Sequence, residues 1–427
     1  MLTRLDLRGV PGDLAALLPR PVGAKELPTE AVRAILADVR AGGDAAVREL
    51  TERFDGVAID DLRVPGPELQ AALSAVDPVL RAALEACHAA VLDFHRHQVV
   101  EVPPFDRDGV SVRSLRRPVA RAGCYVPGGR ASYPSTVIMT AVPARVAGVA
   151  EVVVCVPPGP DGSVPPPTLA AAAVAGVDEV FRIGGAQAVG AMAYGTESVR
   201  PVDVICGPGN LFVSVAQREV AGVVGVPSSF AGPSEVVVVA DASTPPDLAA
   251  IDLVVQAEHG PHGLAWLVTW SSEAAVAIAE AVDRLAAASP RRAEIEATLG
   301  EGGHAVVVDG PERAMAVANA IAPEHLELLC ADPEALVPLV RNAGAVFTGP
   351  FAPASVGDYL AGPSHVLPTH GSARFASGLR VDDFVRHVHV VDLDRGALDR
   401  VGPHVVAMAE AEGLTAHADA VRMRCRR

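Results

Sequence analysis

The sequence predicts an α/β protein built from two α/β units in tandem. From about residue 119 onward, short β-branched runs alternate with helices rich in small residues, and glycine turns separate the two kinds of segment. Strands that alternate with helices favour a parallel sheet with helices on both faces. A chain of 427 residues is also too long for one ordinary hydrophobic core.

The predicted elements follow from hydrophobic periodicity. Apolar residues at helical spacing predict that residues 1–118 are mostly helical, with helices over 31–54 and 71–97. A first series of strands is predicted at 151–156, 179–183, 203–205 and 235–240. A second series is predicted at 265–269, 304–309, 326–329 and 344–348. The last segment has a strand-like run at 387–391, followed by a helix at 401–412.

The composition argues against several classes of partner. The formal net charge is -16, from 51 acidic and 35 basic residues. Nucleic acids and anionic membranes are therefore not expected as partners, because phosphate binding needs a basic face. The sequence has no apolar stretch of roughly 20 residues that would span a membrane. The N-terminus mixes charged residues with Pro11, unlike a signal peptide, so we expect a cytoplasmic protein.

Lysine and cysteine usage narrows the possible chemistry. Lys25 is the only lysine, which argues against a Schiff base and against a phosphate-binding loop with a catalytic lysine. The six cysteines are scattered without a CxxC pair, so reduced thiols are expected. Cys124 and Cys206 adjoin glycine turns, but no neighbouring His or basic residue would clearly lower the pKa of either thiol. We therefore expect both to be packing residues rather than nucleophiles.

Glycine turns and polar clusters are the candidate functional motifs. The GxGxxG fingerprint is missing, yet the turns at 125–129 and 207–210 follow or adjoin strands and could hold phosphate oxygens at helix N-termini; structural turns are the alternative. Polar clusters occur at 256–259, 322–325, 357–359, 364–365 and 414–417. His, Asp and Gln can bind a divalent ion, but no zinc spacing such as HExxH is present, and each His alone could be structural.

The ordered set of these motifs resembles the histidinol dehydrogenase family, from about residue 20 to the C-terminus. The motifs that carry the resemblance are Tyr125-Val-Pro-Gly-Gly, Pro134-Ser-Thr-Val, Gly184-Gly-Ala-Gln, Gly207-Pro-Gly-Asn, Ala231-Gly-Pro-Ser-Glu, Gln256-Ala-Glu-His-Gly, Ala322-Pro-Glu-His-Leu, Gly357-Asp-Tyr, His365-Val-Leu-Pro-Thr, Ser377-Gly-Leu and Glu412-Gly-Leu-Thr-Ala-His. Each motif is weak alone, whereas the ordered set is highly specific.

The resemblance implies a fold, a reaction and two cofactors. It implies an intertwined homodimer with two incomplete Rossmann-like domains, divided as 1–20, 21–118 with 237–378, 119–236, and a C-terminal segment 379–427 that completes the partner's site. It implies oxidation of L-histidinol to L-histidine through L-histidinal, with two NAD and one Zn²⁺ per subunit, as the last step of histidine biosynthesis.

The resemblance also implies a role for individual residues. The implied metal ligands are Gln256, His259, Asp358 and His417; the acid-base pair is Glu324 and His325; the NAD contacts are Tyr125, Gln187 and Asn210. Substrate contacts are implied for Ser234, His365 and Glu412, together with His325 and the four metal ligands. The ordinary imidazole pKa near 6.5 suits His325 to accept the alcohol proton, and Glu324 beside it can activate the water that hydrates the aldehyde.

The sequence departs from the family pattern at a few positions, and two alternative functions are consistent with it. The chain departs from the family pattern at Ala354, at His262, which could compete as a metal contact, and at 227–230, and most of these positions flank the implied site. One alternative is a paralogous dehydrogenase of another small alcohol, such as sulfopropanediol; His365 and Glu412 favour histidinol, because Glu412 can meet the substrate's ammonium group. Another is a catalytically silent zinc- or nucleotide-binding protein, against which the intact acid-base pair argues.

Overall fold

The computed structural model describes residues 1–19, 27–129, 131–227, 234–258 and 263–425. Within these residues the strands are β1 (Thr3–Asp6), β2 (Phe105–Arg107), β3 (Val110–Pro118), β4 (Arg121–Tyr125), β5 (Glu151–Val156), β6 (Glu179–Arg182), β7 (Val204–Cys206), β8 (Glu235–Ala240), β9 (Leu264–Thr269), β10 (Gly303–Val307), β11 (His325–Leu328), β12 (Ala345–Thr348) and β13 (Val385–Leu393). The helices are α1 (Thr29–Asp55), α2 (Gly66–Ala75), α3 (Pro78–His97), α4 (Pro134–Ala147), α5 (Pro166–Val174), α6 (Gly185–Tyr194), α7 (Leu211–Val220), α8 (Pro246–Glu258), α9 (Ser272–Ala288), α10 (Arg292–Gly302), α11 (Pro311–Ile321), α12 (Ala354–Tyr359), α13 (Arg395–Ala411) and α14 (Thr415–Cys425).

Two parallel sheets form the core of the molecule, which confirms the predicted α/β class. The larger sheet has the strand order β1-β10-β9-β8-β11-β12, and every neighbouring pair is parallel. The smaller sheet has the order β6-β5-β4-β7, also parallel throughout. Both faces of each sheet are covered by helices, which explains why their strands are almost continuously buried.

The N-terminal helices pack on the smaller sheet. Apolar residues of α1 share one buried cluster with α6 and α7, and residues of α2 and α3 share another with α4 and α5. This packing differs from the predicted grouping of 21–118 with 237–378, because the larger sheet is covered instead by helices that follow β8. The N-terminal strand β1 adds an edge strand to the larger sheet rather than standing apart. The domain boundaries themselves stay a prediction.

Two predicted elements differ from the structure for local reasons. The single helix expected at 71–97 is two helices, because the Asp77 side chain accepts a hydrogen bond from Val79 N and Pro78 occupies the first helical position of α3. The prediction that residues 1–118 are mostly helical missed β2 and β3. Their charged residues obscure the alternation of apolar and polar residues that is typical of a strand. Antiparallel pairing of β3 with β13 stabilises this exposed ribbon.

The C-terminal part, from β13 onward, lies along this ribbon. Helices α13 and α14 contact each other, and Glu412 and His417 are exposed. No helix in the described part of the chain is long and apolar enough to cross a membrane.

Candidate active site

The predicted acid-base pair lies where two neighbouring parallel strands begin. Glu324 precedes β11, His325 is its first residue, and Ser234 directly precedes β8, the strand beside it. Because β8 and β11 pair in register, their amino ends bring these three side chains together. The side chains of Glu324 and His325 are 10% and 7% exposed, so both groups lie in a largely water-excluded setting.

Hydrogen bonds fix the carboxylate of Glu324. Ser234 Oγ donates to Glu324 Oε2 at 2.5 Å, and the backbone N–H of Glu235 donates to the same oxygen at 3.2 Å. Ser234 Oγ also lies 3.4 Å from Oε1 of Gln256, which sits near the end of α8. Ser234 therefore connects the predicted acid-base pair to one of the predicted metal ligands.

His325 is placed between two carboxylates. Its Nδ1 is 3.8 Å from Glu324 Oε2, and its Nε2 is 3.6 Å from Asp358 Oδ1. Both distances are too long for hydrogen bonds, and neither ring nitrogen has a hydrogen-bond partner among the described residues. Burial by itself lowers the pKa of His325, but Glu324, Asp358 and Glu327 raise it to about 9. The ring is thus held by charge and packing, with both nitrogens able to meet a ligand.

His365 joins the site to the smaller sheet. Its Nδ1 is 3.1 Å from the carbonyl oxygen of Asp358, and its Nε2 is 3.1 Å from Thr136 Oγ1 on α4. Thr136 belongs to one of the motifs found in the sequence, yet nothing along the chain assigns it a role. Only the fold brings α4 next to His365.

Two further buried carboxyl groups, Glu235 and Glu327, lie near the pair, and the half-buried Asp252 contacts Glu327; sequence reasoning missed all three. Burial and the charge of Glu324 raise the pKa of Glu235 to about 8. Glu327 is 1% exposed; burial and a hydrogen bond with the Asp252 carboxyl raise its pKa well above the ordinary range, so it holds a proton at neutral pH. Glu327 Oε1 accepts the backbone N–H of Ala354 at 2.9 Å, at the start of the helix that carries Asp358. The signal in the sequence that could have identified Glu327 is its position, as an acidic residue inside an apolar strand.

Glu327 should make the stability of the protein depend on pH. A carboxyl whose pKa is raised by folding stabilises the native state below its ordinary pKa, and this contribution is lost as pH rises toward the folded pKa. Glu327→Gln keeps an acceptor for Ala354 and a donor for Asp252 without titrating. We expect its Tm to fall less than the wild-type Tm between pH 5 and pH 9, by about 1 °C for each 1 kcal/mol in a chain of this length. Thermal unfolding measures this, and Glu334→Gln, at an exposed position, is the control; equal slopes would contradict the assignment.

The predicted NAD contacts line a cleft at the carboxyl ends of the smaller sheet. Tyr125, Gln187 and Asn210 all border this cleft, whose volume is about 780 Å³, within the range of small-molecule sites. Tyr125 Oη accepts the backbone N–H of Gly185 at 3.1 Å, and Asn210 Oδ1 accepts that of Val213 at 3.1 Å. Gln187 is 1% exposed, and neither atom of its amide has a hydrogen-bond partner among the described residues. A buried, unpaired amide facing a cleft suits a polar ligand.

A glycine turn separates this cleft from the acid-base pair. At Gly207 φ is +110°, and a Cβ there would lie 2.1 Å from the carbonyl oxygen of Tyr125, so only glycine fits. Gly207 and Gly209 line a smaller cavity of about 70 Å³ together with Glu324 and His365. The turn after β7 therefore touches both the cleft and the site.

The predicted metal ligands are only partly brought together. Gln256 is 4% exposed, and its Nε2 has no hydrogen-bond partner among the described residues; Asp358 lies beside His325. His259 falls outside the described residues, as do His262 and residues 228–230. Glu412 and His417 are exposed, and no hydrogen bond or ion pair recorded for the described residues joins them to this site. Within the described ranges no group of three His, Cys, Asp or Glu side chains could hold a metal ion.

The cysteines near the glycine turns are buried in the smaller sheet. Sγ of Cys206 lies 3.8 Å from Sγ of Cys124, and both residues are 0% exposed. The contact with Cys124 and burial raise the pKa of the Cys206 thiol well above its ordinary value. A raised thiol pKa opposes nucleophilic catalysis.

Replacing both thiols should leave catalysis largely intact. For the Cys124→Ala and Cys206→Ala double variant we expect turnover within about tenfold of wild type, because repacking of this order corresponds to about 1.4 kcal/mol. Turnover should be normalised to the folded fraction, measured by thermal unfolding. A loss of several orders of magnitude in folded protein would instead indicate covalent catalysis.

Comparisons with known proteins agree on one family. The family model for histidinol dehydrogenase matches residues 19–425. A histidinol dehydrogenase of Parasynechococcus marenigrum is 50% identical over 92% of this chain and 90% of its own length, and that of Gluconobacter oxydans is 45% identical over 99% of both. The crystal structure of histidinol dehydrogenase from Elizabethkingia anophelis superposes with a TM-score of 0.95 at 33% identity, covering 100% of this chain and 98% of that chain.

Proposed function

The chain belongs to the histidinol dehydrogenase family, and we propose that it oxidises L-histidinol to L-histidine through L-histidinal, with two molecules of NAD, as the last step of histidine biosynthesis. The observation that carries this proposal is the buried His325, held between the carboxylates of Glu324 and Asp358. A cleft of dinucleotide-compatible size opens one glycine turn away.

The cleft residues fit NAD. When bound in this cleft, NAD would supply the acceptor for the hydride that leaves the carbon of the alcohol or of the hydrated aldehyde. Gln187 offers an unpaired buried amide, and Tyr125 is fixed by Gly185. Asn210 is the N-cap residue of α7, whose first N–H groups can meet phosphate oxygens. Because the turn at 207–210 touches both cavities, a ligand that follows it reaches from the cleft to His365 and Glu324.

The residues also fit a zinc ion in donor type. Two imidazoles (His259 and His417), the amide of Gln256 and the carboxylate of Asp358 would hold it, a donor set suited to a borderline ion. Zinc would supply a positive charge that binds and orients the substrate's imidazole and amine. Asp358 is one of the groups that raise the pKa of His325, so engaging its carboxylate with a cation would lower that pKa and favour the neutral imidazole that a base requires.

Proton transfer then falls to His325 and Glu324. In the first oxidation His325 accepts the alcohol O–H proton as hydride leaves the carbon, which yields the aldehyde. Glu324, positioned by Ser234, accepts a proton from the water that adds to the aldehyde carbon. In the second oxidation His325 accepts the proton of the hydrate as the second hydride leaves, which yields the acid. Water supplies the added oxygen, so no cysteine is required.

We further propose that the enzyme is a cytoplasmic homodimer with shared active sites. Glu412 directly follows α13 and His417 lies in α14; both are exposed in the single chain, so a second chain would bring them to the site. The six cysteines, all free thiols, suit a reducing compartment.

Mixing inactive subunits should test the shared site. An Asp358→Ala dimer and a His417→Ala dimer would each be inactive, whereas a heterodimer would carry one intact site. We expect partial recovery of activity after dissociation and reassembly, approaching half of the wild-type rate per heterodimer. Differently tagged subunits allow the heterodimer to be isolated. An inactive, purified heterodimer would count against the shared site.

Comparing substrates tests the proposed oxidation of L-histidinol directly. Steady-state NADH formation should be measured with L-histidinol, L-histidinal and a panel of small amino and sulfonated alcohols that includes sulfopropanediol. We expect histidinol to give the highest kcat/KM and two NADH per molecule oxidised. A higher kcat/KM for a sulfonated alcohol would overturn the histidinol assignment and support the paralogous dehydrogenase.

A further inference from the structure

The cleft contains one carboxylate that the proposed mechanism does not use. Asp55, the last residue of α1, lines the cleft with Tyr125 and Gln187. Its Oδ2 is buried and has no hydrogen-bond partner among the described residues. A buried acceptor without a partner destabilises the protein unless a ligand satisfies it.

The position of this carboxylate destabilises the folded protein when no ligand is bound. The C-terminal end of a helix carries a partial negative charge, which disfavours a further anion there. The neighbouring Arg53 does not compensate, since its guanidinium lies over the Phe54 ring, 5.2 Å from the centroid. Burial raises the pKa of Asp55 to about 6, so it is still mostly ionised at neutral pH.

The connection that follows Asp55 runs to one edge of the smaller sheet. Residues after α1 run beside β6, where Arg182 N donates to Leu62 O and Val64 N donates to Val180 O. The turn at 207–210 follows β7, at the opposite edge of the sheet order β6-β5-β4-β7. Three strand spacings separate these edges, about 14 Å. The β7 end is the one that touches Glu324 and His365.

A dinucleotide in this cleft therefore has a defined direction. Its nicotinamide must reach the reacting carbon at the β7 end, so its adenosine occupies the β6 end, beside Asp55. We propose that Asp55 accepts hydrogen bonds from the adenosine ribose hydroxyls and repels a 2′-phosphate, so that it selects NAD over NADP. An acidic side chain on the ribose hydroxyls is a general solution in dinucleotide sites, but here it comes from a helix that precedes the sheet instead of from a strand end within it.

The inference rests on the proposed use of a dinucleotide, and binding measurements can separate the two. Dissociation constants for NADH and NADPH should be measured without substrate, by NADH fluorescence and by calorimetry, for wild type, Asp55→Asn and Asp61→Asn. Asp61 is exposed, does not line the cleft and lies on the same connection after α1, so its variant removes the same charge nearby.

We expect Asp55→Asn to weaken NADH binding about 10- to 100-fold, as expected for lost hydrogen bonds to a charged group. It should bind NADPH at least as tightly as wild type, so that the preference for NADH collapses, while Asp61→Asn stays at wild-type values. ADP-ribose should compete with NADH less well for Asp55→Asn than for wild type. Nicotinamide mononucleotide should compete with NADH equally well for Asp55→Asn and for wild type.

Each contrary result has a distinct meaning. Wild-type protein that binds neither dinucleotide overturns the proposed function and this inference together. Normal NADH binding and an unchanged NADH preference in folded Asp55→Asn overturn only the role of Asp55. A selective loss of nicotinamide mononucleotide competition would place Asp55 at the other end of the dinucleotide and overturn the direction assigned here.

Discussion

Replacing His325 by asparagine should slow both oxidation steps by about 100- to 10,000-fold, the usual effect of losing a general base. Each hydride departure requires an O–H proton to leave, and His325 is the buried imidazole with both nitrogens free of protein hydrogen bonds in the described part of the chain. Single-turnover NADH production from histidinol and from histidinal, measured separately over a pH range, tests this. Bound metal should be unchanged, because His325 is not among the proposed ligands.

Replacing the neighbouring carboxylate, Glu324, should affect the two substrates unequally, whereas replacing His325 should slow the oxidation of both. Glu324→Gln keeps a side chain that can accept the Ser234 hydrogen bond but cannot take a proton from water. We expect it to slow the conversion of histidinal more than that of histidinol.

His97→Asn, at an exposed position at the end of α3, is the matched control for His325→Asn. Near-normal rates for His325→Asn with either substrate would falsify its assignment as the base.

Removing the divalent metal should abolish turnover, and zinc or manganese should restore it. A cation in such a site contributes several kcal/mol, so we expect a loss of at least about 100-fold. Asp358→Asn should lower both bound zinc and turnover, because the amide lacks the charge that holds the cation. Metal content should be measured by elemental analysis on the same samples.

Asp106→Asn provides the control for this experiment, since Asp106 is exposed on β2, outside the site. It should retain wild-type zinc and wild-type turnover. Full turnover in demonstrably metal-free protein would exclude the proposed metal requirement, whatever the effect of Asp358→Asn.

Buried parallel strands were the part of the fold that the sequence predicted best. The strands at 151–156 and 235–240 have the predicted bounds, because continuous apolar runs between glycine turns leave little ambiguity. β4 was not among the predicted strands, since its sequence Arg-Ala-Gly-Cys-Tyr lacks β-branched residues. It is a strand because it pairs with β5 on one side and β7 on the other.

For the site, the sequence supplied the motifs, and the fold decided which of them meet. Glu324 and His325 are adjacent in any conformation, and the resemblance named both. That Ser234 contacts Glu324 across 90 residues, and that Thr136 contacts His365 across 229, follows only from strand pairing and helix packing. Glu235 and Glu327 were missed although each lies in an apolar strand, and Asp252 was missed because nothing along the helix sequence marks its contact with Glu327.

The sequence by itself determined the α/β class, the family and the residue types available for acid-base and metal chemistry, because these depend on local periodicity and on ordered motifs. The tertiary structure decided where charges are buried and which are left without partners. Asp55 reads as an ordinary helix-terminal residue until α1 is packed against the smaller sheet and its carboxylate lines the cleft. Desolvation depends on neighbours distant in the chain, and no pattern along the sequence encodes it directly.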